Sequence, residues 1–356
     1  METVGLNRNF WCDKRVLVSG HTGFKGGWLS VWLELLGAKV TGYSLAPSEV
    51  SEFYKKAFDG SYIGSEVYAD LNDYKKLREV IEAADPEVIF HLAAQPLVRE
   101  SYNNPRYTFE TNVMGVVNLF EAVRQAGATP VIVNATTDKV YKNNEWIWAY
   151  RENDLLGGSD PYSASKACSE LVTECFSKAF FEDMGINLAT VRAGNVIGGG
   201  DMSWDRLIPD YFRALIENRK LKIRNPGATR PWQYVLEPIF GYLLLAEKLA
   251  GDTGNDWVGP WNFGPLGNPL SVSDLLSLLE NITGVALSEL GDRAYVHEAS
   301  DLRLDSTKSR ELLDWEPKLD IETSLRWTVD WFNRSRGSDD MYAFSVAQIS
   351  NYMRDG

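Results

Sequence analysis

Short apolar runs alternate with longer amphipathic stretches through the first half of the chain. The runs are rich in β-branched residues and predict buried strands at residues 15–19, 39–43, 87–90, 130–134 and 188–193. The stretches between them repeat apolar residues every three or four positions and predict helices at residues 27–36, 71–84 and 111–126. This regular alternation predicts an α/β fold with a parallel, doubly wound sheet.

The rhythm changes after Asn195, where a run of three glycines at residues 198–200 begins a segment rich in glycine and proline. Helical patterns then dominate the remainder of the chain. We therefore predict a first domain at residues 1–193 and a smaller, mostly helical second domain at residues 194–356, with a segment near 235–262 returning to the first. Open α/β sheets bind ligands at the carboxyl ends of their strands, so we expect the second domain to close over that edge.

Composition narrows the class of protein. The 49 Asp and Glu residues outnumber the 36 Lys and Arg residues, and the net charge of −13 disfavours nonspecific binding to nucleic acid or to an anionic membrane. No apolar run is long enough to cross a bilayer, and residues 1–15 lack the apolar core of a signal peptide. An odd number of cysteines without a CxxC pair favours a reducing cytoplasm over a disulfide framework. The histidines are few and far apart, so we expect no metal site; they are His21, His91 and His297.

The sequence GHTGFKG, at residues 20–26, follows the first predicted strand and begins a helix. Gly20 permits a tight turn, Gly23 lets the backbone approach a pyrophosphate, and Gly26 allows the helix to pack closely on the strand. The helix N-terminus supplies amides for the anion. The segment therefore predicts a dinucleotide site that includes Thr22, Phe24 and Lys25, and the alternative is a purely structural turn.

The GxxGxxG spacing resembles the extended short-chain dehydrogenase/reductase family, whose members have a Rossmann-type sheet. The resemblance implies NAD as cofactor, and it implies further cofactor contacts at Asp70, Leu71, Leu92, Ala93, Ala94, Gln95 and Thr111. The segment after the second strand has no acidic residue before Glu49 to hold ribose hydroxyls, and it has no arginine to hold a 2′-phosphate. The choice of NAD over NADP therefore follows from the resemblance and not from this loop.

Tyr162 and Lys166 are four residues apart and would share one face of a helix. A free tyrosine has a pKa of about 10, so it needs a neighbouring positive charge to act as a base near neutral pH. The lysine ammonium and a nicotinamide ring supply that charge, and the phenolate could then remove a hydroxyl proton. Thr137 follows a predicted strand, where the family has a Ser or Thr, and it completes a candidate catalytic triad. The alternative is an unrelated surface Tyr–Lys pair.

Asp138 and Lys139 follow Thr137 directly. Sugar-nucleotide dehydratases of the family need a second acid–base pair to eliminate water and usually have two carboxylates here. The Asp-Lys variation resembles the CDP-glucose 4,6-dehydratase group. The resemblance implies that Asp138 protonates the departing C6 hydroxyl, whereas the base that removes the C5 proton stays open, because an ammonium cannot accept a proton. The structural alternative is that Asp138 caps a turn and Lys139 is solvated.

Further segments resemble the substrate side of the same group. They imply contacts to a sugar nucleotide from Gln95, Asn195, Arg206, Arg230, Trp232 and Gln233. The planar guanidinium groups of Arg206 and Arg230 suit a diphosphate, although each could instead pair with a carboxylate. The segment at residues 297–299 also matches the group.

The resemblance, which spans nearly the whole chain, implies conversion of CDP-glucose to CDP-4-keto-6-deoxyglucose by oxidation at C4, elimination of water across C5 and C6, and return of the hydride to C6. A 4-epimerase would share the triad without needing Asp138 and Lys139, and a non-catalytic NAD-binding sensor would need none of these side chains. The resemblance also implies a homodimer, or a tetramer, in which helices at residues 111–126 and 162–181 pair.

Overall fold

A central sheet of seven parallel strands organises the computed structural model, which describes residues 5–46, 51–59, 62, 64–267, 269–291 and 301–354. Its strands are β1 Arg15–Ser19, β2 Lys39–Ser44, β3 Ser65–Tyr68, β4 Val88–His91, β5 Val131–Ala135, β6 Leu188–Ala193 and β11 Gly259–Phe263. They lie in the order β3-β2-β1-β4-β5-β6-β11. The predicted doubly wound parallel sheet is therefore confirmed, and its strand β11 lies far along the chain from the other six.

Helices cover both faces of the sheet. Those of the first half are α1 Arg8–Trp11, α2 Phe24–Leu35, α3 Glu52–Phe58, α4 Tyr74–Ala84, α5 Val98–Asn103, α6 Pro105–Phe109, α7 Gly115–Ala126 and α8 Pro161–Phe176. One apolar core, between the sheet and α2, contains the fully buried Trp28 and Trp32. The core on the opposite face contains Leu119 and Phe120 of α7. Because both faces of the sheet are buried, successive positions of its strands are apolar, and the strands are continuous apolar runs in the sequence.

The second half of the chain adds helices and short strand pairs. Its helices are α9 Leu207–Ile216, α10 Leu236–Leu249, α11 Val272–Thr283, α12 Thr307–Leu313, α13 Ile321–Ser335 and α14 Met341–Arg354. Its remaining strands are β7 Asn195–Ile197, β8 Leu221–Ile223, β9 Thr229–Arg230, β10 Trp232–Tyr234, β12 Leu270–Ser271 and β13 Ser288–Leu290, which pair as β7–β10, β8–β13 and β9–β12. The helix α14 packs against α2 and α3, so the end of the described chain is joined to the face of the sheet that α2 covers.

Three helix starts differ from the sequence prediction for local reasons. The helix α2 begins at Phe24, directly after the glycine turn, and α4 begins at Tyr74 because the Asp73 carboxylate accepts a hydrogen bond from the Lys76 amide. The segment predicted as a helix from Thr111 starts within a π-helical turn, Glu110–Met114, and becomes α-helical at Gly115. Among the described residues, no helix combines the length and apolar character that crossing a bilayer requires.

Candidate active site

A cavity of about 1390 Å³ lies at the carboxyl ends of the strands and takes its walls from both halves of the chain. Small-molecule sites typically measure roughly 300–1,000 Å³, so this one has room for two ligands side by side. Its position is the one at which open α/β sheets bind ligands.

The glycine turn forms one end of this cavity. Gly20 has φ +79°, and a Cβ atom there would lie 2.7 Å from the Ala93 nitrogen. A Cβ atom on Gly26 would lie 2.0 Å from the Gly20 carbonyl oxygen, so the helix can approach the turn only without a side chain. Gly23 precedes α2, and no side chain of the described residues caps that helix. The open N-terminus and the bare backbone fit the pyrophosphate of a dinucleotide.

All the residues that the sequence assigns to the cofactor line the cavity: Gly20, Thr22, Gly23, Phe24, Lys25, Gly26, Asp70, Leu71, Leu92, Ala93, Ala94, Gln95, Thr111, Tyr162 and Lys166. Thr111 lies on the π-helical turn, and its buried hydroxyl has no partner among the described residues. The Gln95 amide nitrogen donates to the Leu97 carbonyl at 3.1 Å and to the Thr108 hydroxyl at 2.9 Å. Gln95 therefore also shapes the loop that follows β4.

The end of the cavity beside β2 contains residues that the sequence did not single out. Ser44, Glu52 and Lys55 line it, together with Asp70. Residues 47–50, which include Glu49, lie outside the described residues. Glu52 and Lys55 lie on α3, beyond the loop where an acidic ribose ligand is normally sought, so the usual sequence signal could not locate them.

The three triad residues meet in the middle of the cavity. Thr137 follows β5, and α8 carries Tyr162 and Lys166 in its first two turns, where the Asp160 side chain caps the helix. Burial raises the pKa of Tyr162 to about 12, while a hydrogen bond with Thr137 and the charge of Arg206 lower it. Burial lowers the pKa of Lys166 to about 8, against the opposing charge of Glu170. Bound cofactor with a positive nicotinamide ring would further favour the phenolate.

Asp138 and Lys139 lie on a short 3₁₀ turn, Asp138–Val140, beside the triad. The Asp138 carboxylate is fully buried, and its Oδ1 accepts hydrogen bonds from the Thr137 hydroxyl and from Lys139 Nζ, both at 3.0 Å. Its Oδ2 has no partner among the described residues. Thr137 and Lys139 line the cavity, whereas Asp138 does not and contacts both of them from within the protein. The cap of this turn is therefore Thr137 and not Asp138, and Lys139 is ion-paired with Asp138.

Five of the six residues assigned to the substrate side line the cavity, and they are Gln95, Asn195, Arg206, Arg230 and Trp232. Arg206 precedes α9 and forms an ion pair with Asp201 at 2.9 Å. The Asn195 Oδ1 atom is buried and has no partner among the described residues. The Trp232 indole nitrogen donates to the Leu270 carbonyl at 3.2 Å, which fixes the ring at the cavity wall.

Gln233 differs from its assignment, because it does not line the cavity. Its amide nitrogen donates to the Phe263 carbonyl at 2.7 Å, which joins β10 to β11. Successive side chains of a strand point to opposite faces, so Trp232 and Gln233 cannot both face one ligand. The segment at residues 297–299 lies outside the described residues.

Three further cations line the cavity without having been singled out from the sequence: Arg99, Lys222 and Arg224. Arg99 forms an ion pair with Asp205 at 3.0 Å, and Arg224 lies 3.9 Å from the same carboxylate. Arg99 is 106 positions from Asp205 in the chain, so no local motif could have revealed this pair. The described residues contain no cluster of His, Cys, Asp and Glu side chains that could hold a metal ion.

The curated proteins that are similar to this chain include one of nearly equal length. A CDP-glucose 4,6-dehydratase from Salmonella typhimurium is 44% identical over 355 residues, which cover 98% of each chain. A UDP-glucuronate 4-epimerase from Thermodesulfobacterium geofontis is 26% identical and covers 74% of this chain and 77% of its own.

Solved structures share the fold. A dTDP-glucose 4,6-dehydratase from Streptomyces venezuelae, crystallised with NAD, superposes with a TM-score of 0.79 at 24% identity and covers 90% of this chain and 98% of its own. The model of the NAD dependent epimerase/dehydratase family matches residues 16–258. The glycine turn, the triad and this match agree, and the chain belongs to the NAD-dependent epimerase/dehydratase family.

Proposed function

We propose that this chain is an NAD-dependent CDP-glucose 4,6-dehydratase that forms CDP-4-keto-6-deoxyglucose. The observation that carries the proposal is the buried Asp138 carboxylate, which contacts both Thr137 of the triad and Lys139 at 3.0 Å. Oxidation at C4 needs only the triad, whereas elimination of water needs a second acid–base pair at this place. The 44% identity to a CDP-glucose 4,6-dehydratase over 98% of each chain supports the same reaction and the same nucleotide.

The first step oxidises C4 of the glucose by removal of the C4 hydride and the proton of the C4 hydroxyl. The glycine turn would hold NAD, which would supply the hydride acceptor at C4 and the hydride donor at C6. Tyr162 accepts the C4 hydroxyl proton as a phenolate, and the charge of Lys166 lowers the energy of that phenolate. The Thr137 hydroxyl holds the sugar oxygen next to Tyr162.

The second step eliminates water. The 4-ketone acidifies the C5 proton. The hydrogen bond of 3.0 Å between Lys139 Nζ and Asp138 Oδ1 lets the ammonium pass a proton to the carboxylate. Lys139 then accepts the C5 proton while Asp138 protonates the departing C6 hydroxyl, which returns the two side chains to their ion pair.

The last step completes the product and returns the catalytic side chains to their starting protonation. Lys139 returns a proton to C5 as hydride reaches C6, which gives the 6-deoxy carbon. Tyr162 still holds the proton from the C4 hydroxyl, and Asp138 lacks the one that left in water. Thr137 hydrogen-bonds with both side chains, so its hydroxyl can carry the proton from Tyr162 to Asp138.

Turnover of CDP-glucose with catalytic NAD tests the proposal, with dTDP-, GDP- and UDP-glucose in parallel. The 4-keto-6-deoxy product is followed by its alkaline absorbance. We expect product from CDP-glucose alone. Product from another sugar nucleotide would support the dehydratase reaction but contradict cytosine as the nucleotide base. Epimerised sugar without a ketone would contradict the proposed roles of Asp138 and Lys139. A non-catalytic sensor would turn over none of the four.

The assembly that we propose is a homodimer. Large apolar side chains are exposed on α6, the π-helical turn, α8 and the segment after it, namely Phe109, Met114, Leu171 and Phe180. Met114 and Leu171 are 48% and 55% exposed, which leaves apolar area that pairing of these helices would bury. Sedimentation of the purified chain at micromolar concentration measures the state directly, and a monomer there would contradict this assembly.

The compartment that we propose is the cytoplasm. Cys12, Cys168 and Cys175 are all free thiols, and Cys12 and Cys175 are exposed. Exposed unpaired thiols suit a reducing environment. Fractionation of the native cell would test this, and recovery in an oxidising compartment would contradict it.

A further inference from the structure

An ion pair lies buried behind the triad. Glu170 of α8 and Arg192 of β6 are 4% and 2% exposed. Arg192 Nε donates to Glu170 Oε1 and Nη2 donates to Oε2, both at 2.9 Å, so the guanidinium and carboxylate planes meet through two hydrogen bonds. Neither Glu170 nor Arg192 lines the cavity.

The pair holds the segment Thr137–Lys139 from both sides. Upstream, the Thr136 hydroxyl donates to Glu170. Downstream, Arg192 Nη1 donates to the Tyr141 hydroxyl at 2.8 Å, and Tyr141 donates in turn to Asn262 Oδ1 at 2.7 Å. The residues on either side of the segment that carries Asp138 are therefore bonded to the pair, Thr136 to Glu170 and Tyr141 to Arg192.

The same pair is joined to the helix that carries Tyr162 and Lys166. Glu170 lies four residues after Lys166, one turn further along the same face of α8. Lys166 Nζ donates to the Ala135 carbonyl at 3.0 Å, one residue before Thr136. The ion pair thus connects the groups assigned to C4 oxidation with those assigned to elimination.

Burial of an ion pair is a poor means of stabilising a fold, because desolvation of the two charges offsets their attraction. We infer that Glu170 and Arg192 are a positioning pair, which holds Asp138 and Lys139 in register with Tyr162 so that elimination follows C4 oxidation on the same bound sugar. This inference rests on the proposed function. Neither residue reaches the cavity, so both act through Thr136 and Tyr141.

Two mild variants test the links one at a time. Thr136→Val removes the upstream hydroxyl and Tyr141→Phe the downstream one, while the ion pair stays intact. We expect kcat to fall on the order of 10- to 100-fold, since small misplacement of reacting groups has such effects, and KM for CDP-glucose to change less than about twofold, because ground-state binding is unaffected. In single turnover, NADH absorbance should accumulate, because oxidation proceeds while elimination lags. Thr136→Ser restores the hydroxyl and should restore kcat.

Thr173→Val is the matched control. Thr173 is a buried threonine of α8 that accepts a hydrogen bond from Asn134 of β5 at 2.9 Å, so its hydroxyl joins the same helix and strand without a bond to Glu170 or Arg192. Wild-type kcat without NADH accumulation in Thr136→Val and Tyr141→Phe would overturn the inference. A fall in kcat shared equally by Thr173→Val would overturn it too, as a general loss of structure. Absence of dehydration by the wild type would instead overturn the proposed function, and this inference with it.

Discussion

The cofactor end and the catalytic end of the cavity are built on different principles. At the cofactor end the shape comes from absent side chains, since a Cβ on Gly26 would lie 2.0 Å from the Gly20 carbonyl oxygen. At the catalytic end the shape comes from side chains that hold one another, as Asp138 does with Thr137 and Lys139. A contiguous segment of seven residues forms the turn at the first, whereas residues of separate strands and helices position the groups at the second.

This difference predicts which function each end loses when a residue is substituted. Backbone shape tolerates almost no substitution at its few close contacts, and loss of it removes binding. When one member of a network of side chains is lost, substrate can still bind but the reaction slows, because the members act on the transition state. Variants at the two ends should therefore separate in KM and kcat.

Tyr162→Phe should have the largest effect. Loss of the general base is expected to lower kcat by roughly 10²- to 10⁴-fold, while NAD still binds and the melting temperature stays near that of the wild type. Single-turnover formation of NADH measures the step directly. Wild-type rates of NADH formation would show that another group is the base.

Asp138→Asn should separate the two halves of the chemistry. The amide keeps the size and the hydrogen bond from Thr137 but cannot protonate a leaving hydroxyl, so product formation should fall by roughly 10²- to 10³-fold. C4 oxidation should change by less than about tenfold, and bound NADH should accumulate. Equal loss of both steps would remove Asp138 from the role of acid.

Gly26→Ala should act at the cofactor end alone. The added Cβ would force apart the turn and the helix, at a cost of about 1–3 kcal/mol, or roughly 10- to 100-fold in NAD affinity. Calorimetric titration with NAD measures this. Gly337→Ala is the control, because its Cβ would meet nothing closer than 3.4 Å. Equal NAD affinity in both variants would contradict the close approach.

Arg206→Lys should weaken substrate binding more than it slows catalysis. A lysine cannot present the planar fork that meets both Asp201 and a diphosphate. We expect KM for CDP-glucose to rise about tenfold with kcat within about threefold of wild type. The control is Arg326→Lys on the exposed face of α13, and a shift of the same size there would show that the effect is not specific.

The pH profile should show the smallest effect. Burial lowers the pKa of Lys166 to about 8, so the ammonium loses its proton as pH rises through 8. The neutral amine no longer favours the Tyr162 phenolate, and kcat/KM should fall about fivefold between pH 8 and 9. Lys25, also with a pKa near 8, is a positive neighbour of Lys166, so Lys25→Met should move this decline to higher pH. A profile flat to pH 9.5 would contradict it.

Local patterns were enough for much of the molecule. Strand β1 lies at the predicted residues 15–19, and the glycine turn, Tyr162 and Lys166 needed only spacing along one strand, turn or helix. The π-helical turn at Thr111 was beyond the sequence, because an extra residue in a helical turn follows from packing against neighbours and not from periodicity.

The sequence by itself determined the sheet, the glycine turn and the types of group available for catalysis, since these depend on residues close together in the chain. Only the tertiary structure decided that Gln233 faces β11 and not the substrate, that Arg99 and Arg224 meet at Asp205, and that Glu170 pairs with Arg192. Such contacts join residues from distant elements, and their geometry depends on how strands and helices pack, which no local spacing records.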